Sequence, residues 1–155
     1  MTFRITGLSP ERFAGLFGQP DEVLARHGAR RHIADSKPGF PDRIGLRDVE
    51  VGESVILINH MHQDADTPYR ASHAIFVAET GGEPYDRVGE IPEVLAIRPI
   101  SLRAFSAAGD MVDADLAEGD ALARTIERLL AAPDTAYLHA HYAKRGCYAA
   151  RIDQA

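Results

Sequence analysis

Ser54-Val55-Ile56-Leu57-Ile58-Asn59-His60-Met61-His62 is the stretch whose reading decides the fold. Branched aliphatic residues follow one another from 55 to 58, which favours an extended chain. A continuous apolar run of this length is expected to be covered on both faces of a sheet. Asp64 to Pro68 is then rich in turn formers, and Ala71 to Glu79 reads as a second strand closed by Gly81 and Gly82. Upstream, Arg43 to Leu46 reads as a strand joined to the decisive one through Glu50-Val51-Gly52-Glu53.

Outward from there, Phe3 to Thr6 is an expected short strand. Ser9-Pro10-Glu11 carries the marks of a helix start: a hydroxyl cap, a proline at the first position and an acid in the first turn. A second short helix is expected from Pro20 to Gly28, and a strand from Arg30 to Ala34. Ile100 to Ser106 and Met111 to Asp115 read as a hairpin. Leu122, Ile126, Leu129 and Leu130 fall at helical spacing on one stripe, and Pro133 ends that helix. Ala136 to Tyr142 and Cys147 to Ile152 are the closing strands. Strands follow strands without a helix between each pair. The expected fold is therefore α+β: a single domain over 1–155, a largely antiparallel or mixed sheet, two short N-terminal helices and one longer helix near the C-terminus.

The chain has 155 residues, 45% of them hydrophobic and 26% charged, enough for one core without a disulfide or metal to hold it. Its 17 basic and 23 acidic residues leave a formal charge of −6, with no basic run and no basic–aromatic stripe, so a nucleic-acid surface is not expected. The single cysteine, Cys147, excludes an intrachain disulfide. No stretch is long and apolar enough to cross a membrane, and the first residues lack a signal-peptide core, so a cytoplasmic location is expected.

Five of the seven histidines occupy two windows: His60, His62 and His73, then His139 and His141. Residues two apart on a strand share a face, so His60/His62 and His139/His141 each aim two imidazoles in one direction. Adjacent strands would bring up to four together. Neutral imidazoles bind Zn²⁺ or Fe²⁺, and His62, His139 and His141 form one candidate ligand set, with Asp64 or Asp66 within reach. A two-residue spacing is far less specific than a His-Glu-x-x-His motif, and histidines satisfied by backbone carbonyls are the commoner outcome. The turn between the last two strands decides the place of Cys147. A three-residue loop Lys144-Arg145-Gly146 puts it on the face of His139 and His141, and a two-residue loop turns it away. Inert burial is the usual fate of such a thiol. Thr67-Pro68-Tyr69-Arg70-Ala71-Ser72 is the remaining candidate. Arg70 suits a carboxylate or phosphate, Tyr69 offers a flat face, and Asn59 and Ser72 add small polar groups. An ion pair of Arg70 with Asp64 or Asp66 that merely fixes the loop is an equal alternative.

These blocks resemble the small bacterial proteins of domain-of-unknown-function family 1203. The resemblance runs from Phe3-Arg4-Ile5-Thr6-Gly7-Leu8-Ser9-Pro10 through Leu46–Glu53, His62–Ser72 and Ser101–Phe105 to His139-Ala140-His141 and Gly146–Arg151. It implies no activity, cofactor or fold. It does keep His62, His139 and His141, and it sets His60 and His73 aside as local variations.

Three readings of function stand open on the sequence. One is a polar pocket for a small anionic ligand, built from Asn59, His62, Tyr69, Arg70, Ser72, His139, His141 and Cys147. The second is a Zn- or Fe-dependent protein using His62, His139 and His141. The third is a non-catalytic interaction module.

Overall fold

The computed structural model describes residues 2–155 and folds them into two β-sheets with three α-helices. The strands are β1 (Phe3–Thr6), β2 (Arg30–Ile33), β3 (Pro41–Asp42), β4 (Arg47–Asp48), β5 (Ser54–Gln63), β6 (Ala71–Ala78), β7 (Asp86–Val88), β8 (Ile100–Phe105), β9 (Met111–Ala117), β10 (Tyr137–Tyr142) and β11 (Tyr148–Gln154). The helices are α1 (Asp21–Arg26), α2 (Glu93–Ala96) and α3 (Ala121–Ala131), preceded by two 3-10 turns at Pro10–Arg12 and Ala14–Leu16. One sheet has the order β7-β1-β11-β10-β8-β9, antiparallel throughout. The other has the order β2-β5-β6-β3-β4 and is mixed, because β3 runs parallel to β6. The fold is α+β, as the run of consecutive strands implies.

The six-stranded sheet buries its outer face under α3. Leu122, Ile126, Leu129 and Leu130 of the helix pack with Ile100, Leu102, Leu138, Ala140 and Ile152. The five-stranded sheet uses alternate residues of β5 and β6 in the same way. Ile56, Ile75 and Val77 pack under Phe13, Leu16 and Leu24 of the N-terminal segment, while Val55 and Ala78 face the opposite side with Ala34 and Val49. Both faces of β5 are thus covered at its start. The helix cover stops near Phe13, whose ring meets His60 edge-on at 6.2 Å. Beyond that point the six-stranded sheet takes over as the cover.

Residues 43–46 are not a strand. Asp42 captures the backbone N–H groups of Ile44 (3.1 Å) and Gly45 (2.7 Å), and Leu46 takes a left-handed φ of 48°. A local side-chain cap outbids the ladder here, so the chain turns between β3 and β4. Gly7 fixes this turn from outside. Its N–H donates to the Tyr85 carbonyl, Leu8 N–H donates to the Arg43 carbonyl, and a Cβ on Gly7 would lie 1.9 Å from the Ile44 carbonyl oxygen. Gly7→Ala is expected to cost roughly 2–3 kcal/mol, because backbone must move to admit the methyl. Gly15→Ala, where nothing lies within 4 Å, is the control. Equal melting temperatures for the two variants would contradict the close approach.

Candidate metal centre and the cleft beside it

The two histidine windows meet between the sheets. Antiparallel pairing of β5 with β6 sets His60 directly opposite His73, and a bulge between Met61 and Gln63 follows. On the other sheet, His139 and His141 project from β10 toward β5, with Tyr148 of β11 opposite His141. Tyr148 stacks on His62 with centroids 5.2 Å apart and meets His139 and His141 edge-on. The imidazoles are therefore packed among aromatic rings, and His60, His139 and His141 are almost wholly buried.

One nitrogen from each of His62, His73 and His141 lies within 4.8 Å of the others. His62 Nε2 is 2.6 Å from His73 Nδ1, with the two rings stacked. His141 Nδ1 lies 2.9 Å from the Gly146 carbonyl and can only donate to it, which leaves the lone pair on Nε2. Among the described residues that Nε2 is buried without a hydrogen-bond partner, as are His62 Nδ1 and His139 Nδ1. His139 stands one ring further out: it is 5.9 Å from His62 and 6.3 Å from His141 between centroids, among Phe105, Tyr137 and Tyr148. The converging set is therefore His62, His73 and His141. His73, set aside on the resemblance, stands in it, and His139 lines its wall.

Burial drives every one of these imidazoles toward its neutral form. His141 is held at about 2, His139 at about 3, and His60 and His62 at about 4; His73 is lowered as well. Arg103, beside His139 across the β8–β10 ladder, adds its positive charge to that effect on His62, His73, His139 and His141. Neutral imidazoles with free lone pairs are the form that binds transition metals.

The remaining candidates fall elsewhere. Asn59 alternates out of the intersheet face and is exposed. Tyr69 is 43% exposed, and Arg70 donates from the surface to the Asp64 carbonyl at 2.8 Å, which holds the 64–70 loop closed. Ser72 is half-buried on β6, on the strand face opposite His73. The last hairpin uses a four-residue loop: Gly146 N–H bonds the Tyr142 carbonyl, Tyr142 N–H bonds the Cys147 carbonyl, and Gly146 takes φ 81°. Tyr142 thus faces Cys147 across the hairpin. Cys147 stays outside the converging trio and meets Arg43 instead, whose Nη2 lies 3.1 Å from its Sγ.

Two cavities flank the centre. One, of about 300 Å³, is lined by His60, His62, His139, Tyr148, Arg12 and Arg151 among others. The second, of about 740 Å³, opens on the His73 side and is lined by Arg43, Arg98, Tyr142, Lys144, Arg145 and Cys147. Sequence reading missed Arg43, Arg98 and Tyr148. Tyr148 lies in the Gly146–Arg151 block and meets His141 across the last hairpin, whereas Arg43 and Arg98 reach the cleft only through contacts between distant segments. His73 did carry a signal: a hairpin that pairs His60 with it returns the ring to the same face.

Residues 39–154 match the sequence model of a family described as protein of unknown function (DUF1203), and the chain belongs to that family. No curated protein and no solved structure matches it.

Proposed function

We propose that this member of the DUF1203 family is a metal-binding protein in which His62, His73 and His141 hold one divalent transition ion, Zn²⁺ or Fe²⁺. The observation that carries the reading is the convergence of three ring nitrogens within 4.8 Å between the sheets, on two half-buried imidazoles and the buried His141. His141 supports it further. Its Nδ1 is fixed by the Gly146 carbonyl and its Nε2 has no other partner, the outer-shell arrangement that orients a ligating imidazole. Three imidazoles at 2.0–2.1 Å from a zinc ion lie roughly 3.3 Å apart. A bound ion would take the place of the direct His62–His73 contact. Three protein ligands leave a fourth position open, the pattern of a site that receives a small molecule rather than of a closed structural site. Asn59, Tyr69 and Arg70 stand apart from these three histidines.

The test is elemental analysis and Zn²⁺ titration of protein purified without a histidine tag. One equivalent of metal and a rise in melting temperature on loading are expected. His73→Ala and His141→Ala are each expected to weaken binding more than about 100-fold, beyond what an outer-shell change costs. His139→Phe is expected to keep the metal. Stoichiometric binding that survives His73→Ala but not His139→Phe would reject this trio. No binding in any form would reject the metal altogether.

A further inference from the structure

The 740 Å³ cleft has a property that the histidine centre does not explain. Four cations line it and no carboxylate does. Arg98 is neutralised by Asp48, which takes two bonds from it at 2.6 and 2.8 Å. Arg43 is not neutralised in this way. It is 1% exposed, yet its guanidinium donates only to the carbonyls of Tyr148 (2.8 Å) and Pro41 (2.6 Å) and to Cys147 Sγ, and it forms no ion pair among the described residues. A buried cation without a counter-charge is unfavourable, because its desolvation is not repaid. Tyr142 shows a second unmet demand. Arg43 and Arg98 sit over its ring at 4.9 and 5.2 Å, and its hydroxyl, on a side chain 5% exposed, has no hydrogen-bond partner among the described residues. Lys144 and Arg145 stand exposed at the mouth, on the loop that Gly146 closes.

One kind of ligand meets all of these demands. An oxyanion supplies the charge that Arg43 lacks and the acceptor that Tyr142 lacks, and low-dielectric walls concentrate on it the field of Arg43, Lys144 and Arg145, the three lining cations that no carboxylate among the described residues neutralises. The opposite wall is apolar, with Leu57, Ala74 and Phe76. The volume is that of a small-metabolite pocket rather than of a bare inorganic ion. We propose that this cleft binds a small organic oxyanion, a carboxylate or phosphate carried on an apolar body, with Arg43 and Tyr142 at its floor and Lys144 and Arg145 at its mouth. The cleft also touches His73, so the bound molecule lies next to the histidine trio. The assignment stands on the cations alone and does not need the metal.

Calorimetric titration with phenyl phosphate, benzoate and inorganic phosphate at low ionic strength tests it. The protein is used as purified and again after chelation. Phenyl phosphate or benzoate is expected to bind in both states, and whichever binds tighter identifies the headgroup. Lys144→Ala/Arg145→Ala is expected to weaken that binding at least tenfold with an unchanged melting temperature, since both side chains are exposed. Arg70→Ala, outside the cleft, is expected to leave it unchanged. Bound phenyl phosphate or benzoate is also expected to slow alkylation of Cys147 by iodoacetamide. The absence of binding by any probe up to about 10 mM, or full binding by the double variant, overturns the site. Inorganic phosphate binding as tightly as phenyl phosphate overturns the organic body. Binding that disappears on chelation moves the anion to the metal and away from the cleft. Failure of the metal reading would leave all of these results intact.

Discussion

The metal-free protein is expected to lose stability steeply as pH falls from about 6.5 toward 4. An unfolded histidine takes up a proton near 6.5, whereas His141 and His139, buried among aromatic rings, are held at about 2 and about 3. Between those values the unfolded chain binds more protons than the folded one, so acid favours unfolding. The stabilising difference is fully present above 6.5 and is lost as pH falls through the window below it. Each such group contributes a slope of up to about 1.4 kcal/mol per pH unit. His139 and His141 together give roughly 3 kcal/mol per unit, against a total stability of roughly 5–15 kcal/mol. His60 and His62, at about 4, steepen the upper part of the window. Glu79 acts lower. Bonds from Arg31, Ser54 and the Gly18 N–H hold it at about 2, so its contribution persists above 4.5 and fails only below that. Urea unfolding at half-unit steps from pH 7.5 to 4.5 measures the slope. His139→Phe is expected to flatten it by about one proton's worth. A stability that stays level between pH 7 and 5 would mean that these imidazoles are not buried neutral.

Asp42→Ala is expected to cost roughly 3–5 kcal/mol, since bonds to a charged acceptor carry about 1.5–3 kcal/mol each and their loss strands buried donors. The carboxylate is 1% exposed and accepts three backbone N–H groups: Ile44 at 3.1 Å, Gly45 at 2.7 Å and Ala78 at 2.8 Å. It therefore closes the turn after β3 and ties it to the end of β6. That turn also presents Arg43 to Cys147 and the cleft. Asp42→Asn keeps one carbonyl oxygen and is expected to fall between alanine and the native residue. Denaturant midpoints compare the three. An alanine variant within about 1 kcal/mol of the native chain would show that water replaces the carboxylate without loss.

The histidine centre was half legible. Strand parity puts His139 and His141 on one face of β10, and they do face β5 together. Parity cannot say how two strands from different sheets lie over one another. That offset places His73 against His62 and moves His139 a ring away. The turn at 43–46 has a local cause instead. Its apolar residues suit a strand, but the Asp42 carboxylate offers the backbone a closer partner than any neighbouring strand. The cationic cleft was not legible at all. Arg43 meets Cys147 104 positions away, and Arg98 meets Asp48 50 positions away.

The amino-acid sequence by itself determined the class of fold, the amphipathic stripe of α3 and the strand carrying Val55 to Ile58. These follow from periodicity and from the geometry of single elements. It also determined that His60/His62 and His139/His141 each share a face, through the two-residue repeat of a strand, but not that the two pairs meet. The tertiary structure decided which of them converge, which cation has no ion pair among the described residues and where the cationic cleft opens. Those are relations between segments far apart in the chain, set by how two sheets pack face to face, and no local rule of side-chain spacing encodes that offset.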